Sequence, residues 1–230
     1  QLKGFKILVH GGGKKATELA SHLGLEPKMI NGRRITDREN LEVVTMVYAG
    51  LINKDIVAQL QKHNCNAIGL SGADANTIKA HKRIVKEIDY GFAGDIDHVD
   101  HGNIKILLDN NFTPIFCAIT HNMKGQLLNT NADTIASEVA VALSKEYEVI
   151  LTYCFEKNGV LKNMNDENSV IRTINSQDYL SLKKDKIIAD GMLPKLENCF
   201  YALQHGVSKI IIGNPTLIAN KDQLNTTLTL

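Results

Sequence analysis

Charge imbalance is the first thing this chain lacks. Its 26 Lys and Arg stand against 25 Asp and Glu, a formal net charge of +1, which argues against a large nucleic-acid footprint. Long apolar runs are missing as well. No stretch of about 18 apolar residues occurs, so a membrane span is not expected. Cysteine is sparse: Cys65, Cys117, Cys154 and Cys199 lie far apart, with no CxxC pair and no His/Cys ligand spacing. They read as structural thiols of a reducing, cytoplasmic compartment, and no metal site is expected from them. No signal peptide, internal repeat or low-complexity tract is seen. What remains is the composition of an ordinary soluble globular protein, 43% hydrophobic and 22% charged over 230 residues. That length suits one domain, or two lobes sharing one sheet.

One stretch organises the rest. Phe5-Lys6-Ile7-Leu8-Val9-His10 is an apolar run that ends abruptly in Gly11-Gly12-Gly13, and helix formers follow from Lys14. The order reads as strand, tight turn, helix N-terminus. Glycines let a ligand approach the backbone, and the N–H groups and positive dipole end of the helix favour an anion, a carboxylate or a phosphate. The chain opens Gln1-Leu2-Lys3-Gly4 without a methionine and reaches this turn at once. An upstream segment is therefore expected to be missing.

Downstream, residues 14–23 have helical spacing and Gly24 stops the helix. Residues 25–35 form an irregular connection holding Asn31-Gly32-Arg33-Arg34. Thr36 and Glu39 have the spacing of a capping box, with Thr36 as N-cap. The helix it opens is expected to run to about His63, with Leu41, Val44, Tyr48, Leu51 and Ile52 on its apolar stripe. That length suggests packing on another subunit. Residues 66–70 read as a buried parallel strand, and 84–88 with 92–96 as a hairpin that interrupts the βα rhythm. A helix over 103–109 leads to a strand over 113–118, with Pro114 near its beginning. Residues 148–153 and 209–213 read as further strands, 169–171 as a short one. Helices are expected over 176–184, opened by Ser176, and from about 196 to 205, with Pro194 in the first turn. Strands spaced by helices give a mostly parallel sheet with helices on both faces.

Three further clusters carry chemistry. Asn129, Asn131 and Asp133 put two carboxamides and a carboxylate just before an alanine-rich helix. One such residue would cap it, and the surplus points to ligand contacts. Asp190-Gly191-Met192 precedes Lys195, a lysine in a helix's first turn where it opposes the dipole. It is either a solvated charge or the neutraliser of a moving phosphoryl group. Of Arg33 and Arg34, one can readily turn inward to clamp a carboxylate. His10 is placed to position the turn. The glycines also satisfy G-x-G-x-x-A, the dinucleotide fingerprint, but no second strand ending in an acidic residue follows soon after. A Rossmann-type dehydrogenase is a weaker reading, and a purely structural turn another.

Taken together, His10 to Gly13, Asn31 to Asp37, Asn129 to Asp133 and Asp190 to Met192 with Lys195 resemble the amino acid kinase family, in the family's order and rough spacing. The resemblance is to its branch acting on N-acetylglutamate. It implies an α/β fold, an open three-layer α/β/α sandwich around a mainly parallel central sheet. Residues 1–230 would form a single domain, with an acceptor-binding lobe over about 1–145 and a nucleotide-binding lobe over about 146–230. It implies ATP with Mg²⁺, an acceptor of N-acetylglutamate or N-succinylglutamate, a place on the route to arginine, and a homodimer. Carried over by motif, Gly12 and Gly13 would contact the substrate, Arg34 its α-carboxylate and Asn129 its acylamino part. Lys195 would stabilise the transferring phosphoryl group and Asp133 would orient the lysines. Gly11, Asn131 and Gly191 are secondary candidates.

Two departures from the family pattern stand out. No Lys-x-Gly-Gly strand precedes His10, and Tyr153-Cys154-Phe155-Glu156-Lys157-Asn158-Gly159 replaces the family's Asp-Val-x-Gly, which touches the nucleotide contacts. Another amino acid kinase, for glutamate or carbamate, is the alternative within the class. A non-catalytic nucleotide or amino-acid sensor is the alternative outside it.

Overall fold

The computed structural model describes residues 4–30, 33–163, 165–185, 187–188, 192–220 and 222–230. These divide into two compact units, Gly4–Ile135 and Ala136–Leu230. Each is a mixed α/β body in which helices pack around parallel strand pairs.

In the first unit, β1 (Leu8–His10) enters the glycine turn and α1 (Gly13–His22) leaves it. Gly24 ends α1 at φ +75, with Leu25 N–H on the Ala20 carbonyl at 2.9 Å and Gly24 N–H on that of Ser21 at 3.0 Å. That pair of bonds is the Schellman closure expected of a glycine stop. Residues 25–30 and 33–35 hold more regular structure than the sequence suggested. A small antiparallel hairpin joins β2 (Met29–Ile30) to β3 (Arg33–Arg34), and Asn31-Gly32, a strong hairpin dipeptide, lies outside the described residues.

The capping box at Thr36 is corrected by one residue. Asp37 is the N-cap of α2 (Arg38–Thr45), accepting from Asn40 N–H at 2.8 Å. Thr36 is fully buried instead, with its N–H on the Tyr90 carbonyl. The long helix is real but not uniform. A π-helical segment, Met46–Ile52, joins α2 to α3 (Asn53–Lys62) with helical dihedrals at both junctions. The wider turn shifts the buried face, so Leu51 is 48% exposed while Asn53 is 1%. Leu51 therefore leaves the predicted stripe.

The core sheet of this unit is parallel. β7 (Thr113–Cys117) lies between β1 and β4 (Ala67–Leu70), and α4 (His101–Asp109), capped by Asp100, precedes it. Before α4, β5 (Ile78–Lys82) and β6 (Gly94–Val99) form the hairpin, with Ile78 opposite Val99 and Lys82 opposite Gly94. Its arms therefore differ from those predicted. Ile84 and Val85, read as strand, are exposed, and the alternation in Ile78-Lys79-Ala80-His81-Lys82 is the signal that was overlooked. β8 (Ile119–His121) pairs with β5 and with β9 (Leu127–Asn129). Because β1, β4 and β7 run the same way, their carboxyl ends His10, Leu70 and Cys117 fall on one edge. Ligands of parallel sheets bind at that edge.

The chain passes between units within α5 (Ala132–Leu143). In the second unit, β10 (Ile150–Cys154) pairs in parallel with β12 (Lys209–Gly213). The short strand is β11 (Thr173–Ile174); residues 169–171 contribute one bridge, Val170 to Leu161. β13 (Asn225–Leu228), not foreseen, pairs antiparallel with β12 and parallel with β11. α6 (Ser176–Lys184) is opened by Asn175, which shares a capping box with Asp178, not by Ser176. α7 (Met192–Gln204) covers a core of Ile174, Leu196, Cys199, Ala202, Ile210 and Leu228, all fully buried. Among the described residues no helix is long and apolar enough to cross a membrane. None of the four cysteines is in a disulfide; Cys154 is exposed, and Cys117 is so buried that its thiol is pushed up to about 11.

Candidate functional site

The carboxyl edge of the first unit's parallel sheet is where its candidate residues collect. Gly12 is required by close approach. A Cβ there would lie 2.5 Å from Ile52 Cδ1 and 2.8 and 2.9 Å from Tyr48 Cδ1 and Cε1, distances that side chains do not reach. Gly13 has room: the nearest atom to its Cβ position is the Tyr48 hydroxyl at 4.0 Å. Gly11 comes up to the start of α5, with 3.7 Å between its Cβ position and Ala132 Cβ.

His10 fixes the near side of this turn. The buried Asn53 amide spends one N–H on the Ile115 carbonyl, 2.8 Å, and the other on His10 Nε2, 3.1 Å. His10 Nδ1 therefore carries the proton and donates to the Gly11 carbonyl at 2.8 Å. Burial pulls this imidazole below its usual range, against the pull of the Gly11 hydrogen bond. Both lone-pair and N–H sides are then used by the neutral form.

Arg34 closes the far side. It is 7% exposed, and its Nη2 donates to the Gly13 carbonyl at 3.1 Å and to Thr17 Oγ1 at 2.6 Å. Its Nη1 is buried without a hydrogen-bond partner in the protein. A buried guanidinium nitrogen left without an acceptor is costly. It stands beside a helix N-terminus with no acidic residue in its first turn, a setting whose electrostatics favour an anion. Strand alternation puts Arg33 on the other face, where it is exposed.

Asn129 joins the same cluster through Thr36. Its Nδ2 donates to Thr36 Oγ1 at 3.0 Å, and that hydroxyl faces the Arg34 carbonyl at 3.4 Å. Asn131 caps α5, accepting from Thr134 N–H at 3.0 Å. Asp133 stands half-buried in the first turn of that helix. Lys195 is half-buried in the first turn of α7, in the second unit. Asp190 and Gly191 lie outside the described residues.

Sequence reasoning missed the helix side of the turn. Tyr48 and Ile52 were read as apolar stripe and Asn53 was not singled out. Asn53 is out of phase with that stripe and turns inward only because the π segment shifts the buried face, so periodicity held no signal for it.

The sequence profile of the amino acid kinase family matches residues 2–214. An acetylglutamate kinase of Phocaeicola vulgatus is 54% identical over 211 residues, 92% of this chain and 82% of that protein. One from Cytophaga hutchinsonii is 55% identical over 212 residues, 92% and 80% of the two chains. Among solved structures, smu.665 from Streptococcus mutans UA159 superposes with a TM-score of 0.83 at 27% identity, covering 97% of this chain and 85% of that one.

Proposed function

This chain belongs to the amino acid kinase family, and from that premise we propose that it transfers the γ-phosphoryl group of ATP to the side-chain carboxylate of N-acetylglutamate. The observation that carries the reading is Arg34: a buried guanidinium, bound through Nη2 to the glycine turn, with its Nη1 left without a hydrogen-bond partner. It suits an acceptor bearing an α-carboxylate. Its acetylglutamate kinase relatives point the same way.

In this reading Arg34 holds the α-carboxylate and Asn129 meets the acylamino group. The N–H groups of Gly12 and Gly13 face the carboxylate that attacks, with Gly11 and Asn131 completing the wall. Lys195 cancels charge on the moving phosphoryl group, Asp133 has the orienting role, and Gly191 is a secondary candidate. Phosphoryl transfer asks for in-line placement and charge neutralisation rather than a covalent intermediate. Among the described residues no cluster of three His, Cys, Asp or Glu forms a metal cage. Mg²⁺, bound through the phosphates of the nucleotide and one or two carboxylates, would supply further charge neutralisation. We place the reaction on the route to arginine, in the cytoplasm, with residues up to about 145 serving the acceptor and the rest the nucleotide. A homodimer through the helical run of residues 38–62 accounts for the exposed Met46 and Leu51; a monomeric mass in light scattering would remove that part.

Incubation with ATP, Mg²⁺ and N-acetylglutamate in the presence of hydroxylamine tests the chemistry. An acyl phosphate gives the hydroxamate, and its absence while ADP forms would place the phosphoryl group elsewhere. N-succinylglutamate run in parallel decides the acyl group.

A further inference from the structure

The helical run of residues 38–62 is α-helical except over Met46–Ile52, where it becomes π-helical. Such segments are rare and recur at functional sites. Here the wider turn has a visible result: Tyr48 and Ile52 both lie against Gly12, and Asn53 reaches His10. The Tyr48 ring is buried, 5% exposed, and its hydroxyl is the nearest atom to the Gly13 Cβ position, at 4.0 Å. Gly13 is also where Arg34 arrives, through Nη2 on its carbonyl. Two buried polar tips thus converge on one glycine at the start of α1, and one of them carries an unpartnered N–H group.

We propose that the Tyr48 hydroxyl is a second donor to the carboxylate that Arg34 receives, placed there by the π segment. This rests on the acylglutamate kinase reading above and adds a residue that reads the acceptor's α-carboxylate. The guanidinium has only hydrogens to offer, so the phenol faces it with oxygen lone pairs and keeps its own hydrogen for a ligand. Burial pushes the Tyr48 phenol up, while the Arg34 charge pulls the other way. The net rise keeps the hydroxyl protonated, as a donor must be. A leucine or phenylalanine would fill the space against Gly12 as well, so packing alone does not call for the hydroxyl.

Tyr48→Phe keeps the ring and removes only that oxygen. Steady-state kinetics would compare wild type and variant with N-acetylglutamate and with its α-carboxamide analogue. In the variant the KM for N-acetylglutamate is expected to rise roughly tenfold, as loss of a hydrogen bond to a charged group does. The turnover number and the KM for ATP stay as they were. The preference for the acid over the amide, as a ratio of kcat/KM, shrinks by a similar factor. A purely packing role would leave that ratio unchanged. An unchanged ratio, or an acceptor KM within about twofold of wild type, overturns the proposal while leaving the kinase reading intact. Wild type that phosphorylates no N-acylglutamate overturns both.

Discussion

Two adjacent glycines are expected to respond oppositely to the same substitution. At Gly12 a methyl group would stand 2.5 Å from Ile52 Cδ1 and under 3.0 Å from two Tyr48 ring carbons. Carbon pairs prefer about 3.5–4.0 Å, so the Ile52 contact is short by about 1–1.5 Å and the two ring contacts by roughly 0.6–1.2 Å. The Tyr48 ring gives way less easily than the end of the half-buried Ile52 side chain. Tyr48 is buried, and both residues sit on one helical run. The cost worked here is that of packing. Overpacking by one methyl costs about 1–3 kcal/mol, against about 0.4–1 kcal/mol gained by stiffening the unfolded chain. Gly12→Ala should therefore lose about 1–2 kcal/mol. Gly13→Ala meets nothing closer than 4.0 Å and lies in the first turn of α1, so it should be neutral or gain up to about 1 kcal/mol. Urea midpoints at unchanged slope measure both. A cross-check uses Ile52→Val, which should cost about 0.5–1.5 kcal/mol in wild type and less, or nothing, in the Gly12→Ala background. Equal midpoints for the two alanine variants would refute the close approach of the helix to the turn.

Arg34→Ala should raise the acceptor KM by roughly ten- to a hundredfold, through loss of a charge-assisted pair, and leave the nucleotide KM alone; a shift in the nucleotide KM instead would reverse the orientation of the site. Lys195→Ala should lower turnover by about two orders of magnitude or more with a smaller change in acceptor affinity, because its charge is needed mainly in the transition state, and unchanged turnover removes its role. His10 gives a pH dependence of known sign. Its folded pKa lies below the unfolded one because of burial, so the unfolded state binds the proton more readily and the stability it contributes is full above about pH 6.5. That contribution is lost as the pH falls through the lower folded value, where protonated Nε2 can no longer accept from Asn53. Urea midpoints of wild type and His10→Gln should diverge less at pH 5 than at pH 7.5, and parallel curves would count against this.

Much of this was legible beforehand because it rests on local signals. The strand-glycine-helix order at Val9 to Lys14, the stop at Gly24 and the core strand at Lys209–Gly213 are each encoded within a few residues. Misreadings fell where tertiary context decides. Thr36 and Asp37 are both good caps, and Thr36 was taken by the Tyr90 carbonyl and the Asn129 amide. Ile84 and Val85 look like strand residues, yet the pairing chose Ile78–Lys82. A π segment leaves no signature in hydrophobic periodicity, so the turn of Tyr48 and Asn53 toward the glycines was hidden, while Leu51 looked buried. β13 was missed because Asn225-Thr226-Thr227-Leu228 is polar for a strand, and Thr226 is held inside by its hydroxyl on the Ile171 carbonyl at 2.7 Å. At the site, Arg34 and Asn129 were named from a resemblance. Their link through Thr36 is visible only in three dimensions.

The central claim is that an N-acylated glutamate is the acceptor, held by Arg34 at the glycine turn. A coupled ADP-release assay tests it directly, with N-acetylglutamate, N-succinylglutamate, free glutamate and carbamate as acceptors for wild type and Arg34→Ala. ADP release should depend on an N-acylglutamate in wild type and need much higher acceptor concentration in the variant. Release with free glutamate or carbamate alone, or release indifferent to Arg34, would contradict it.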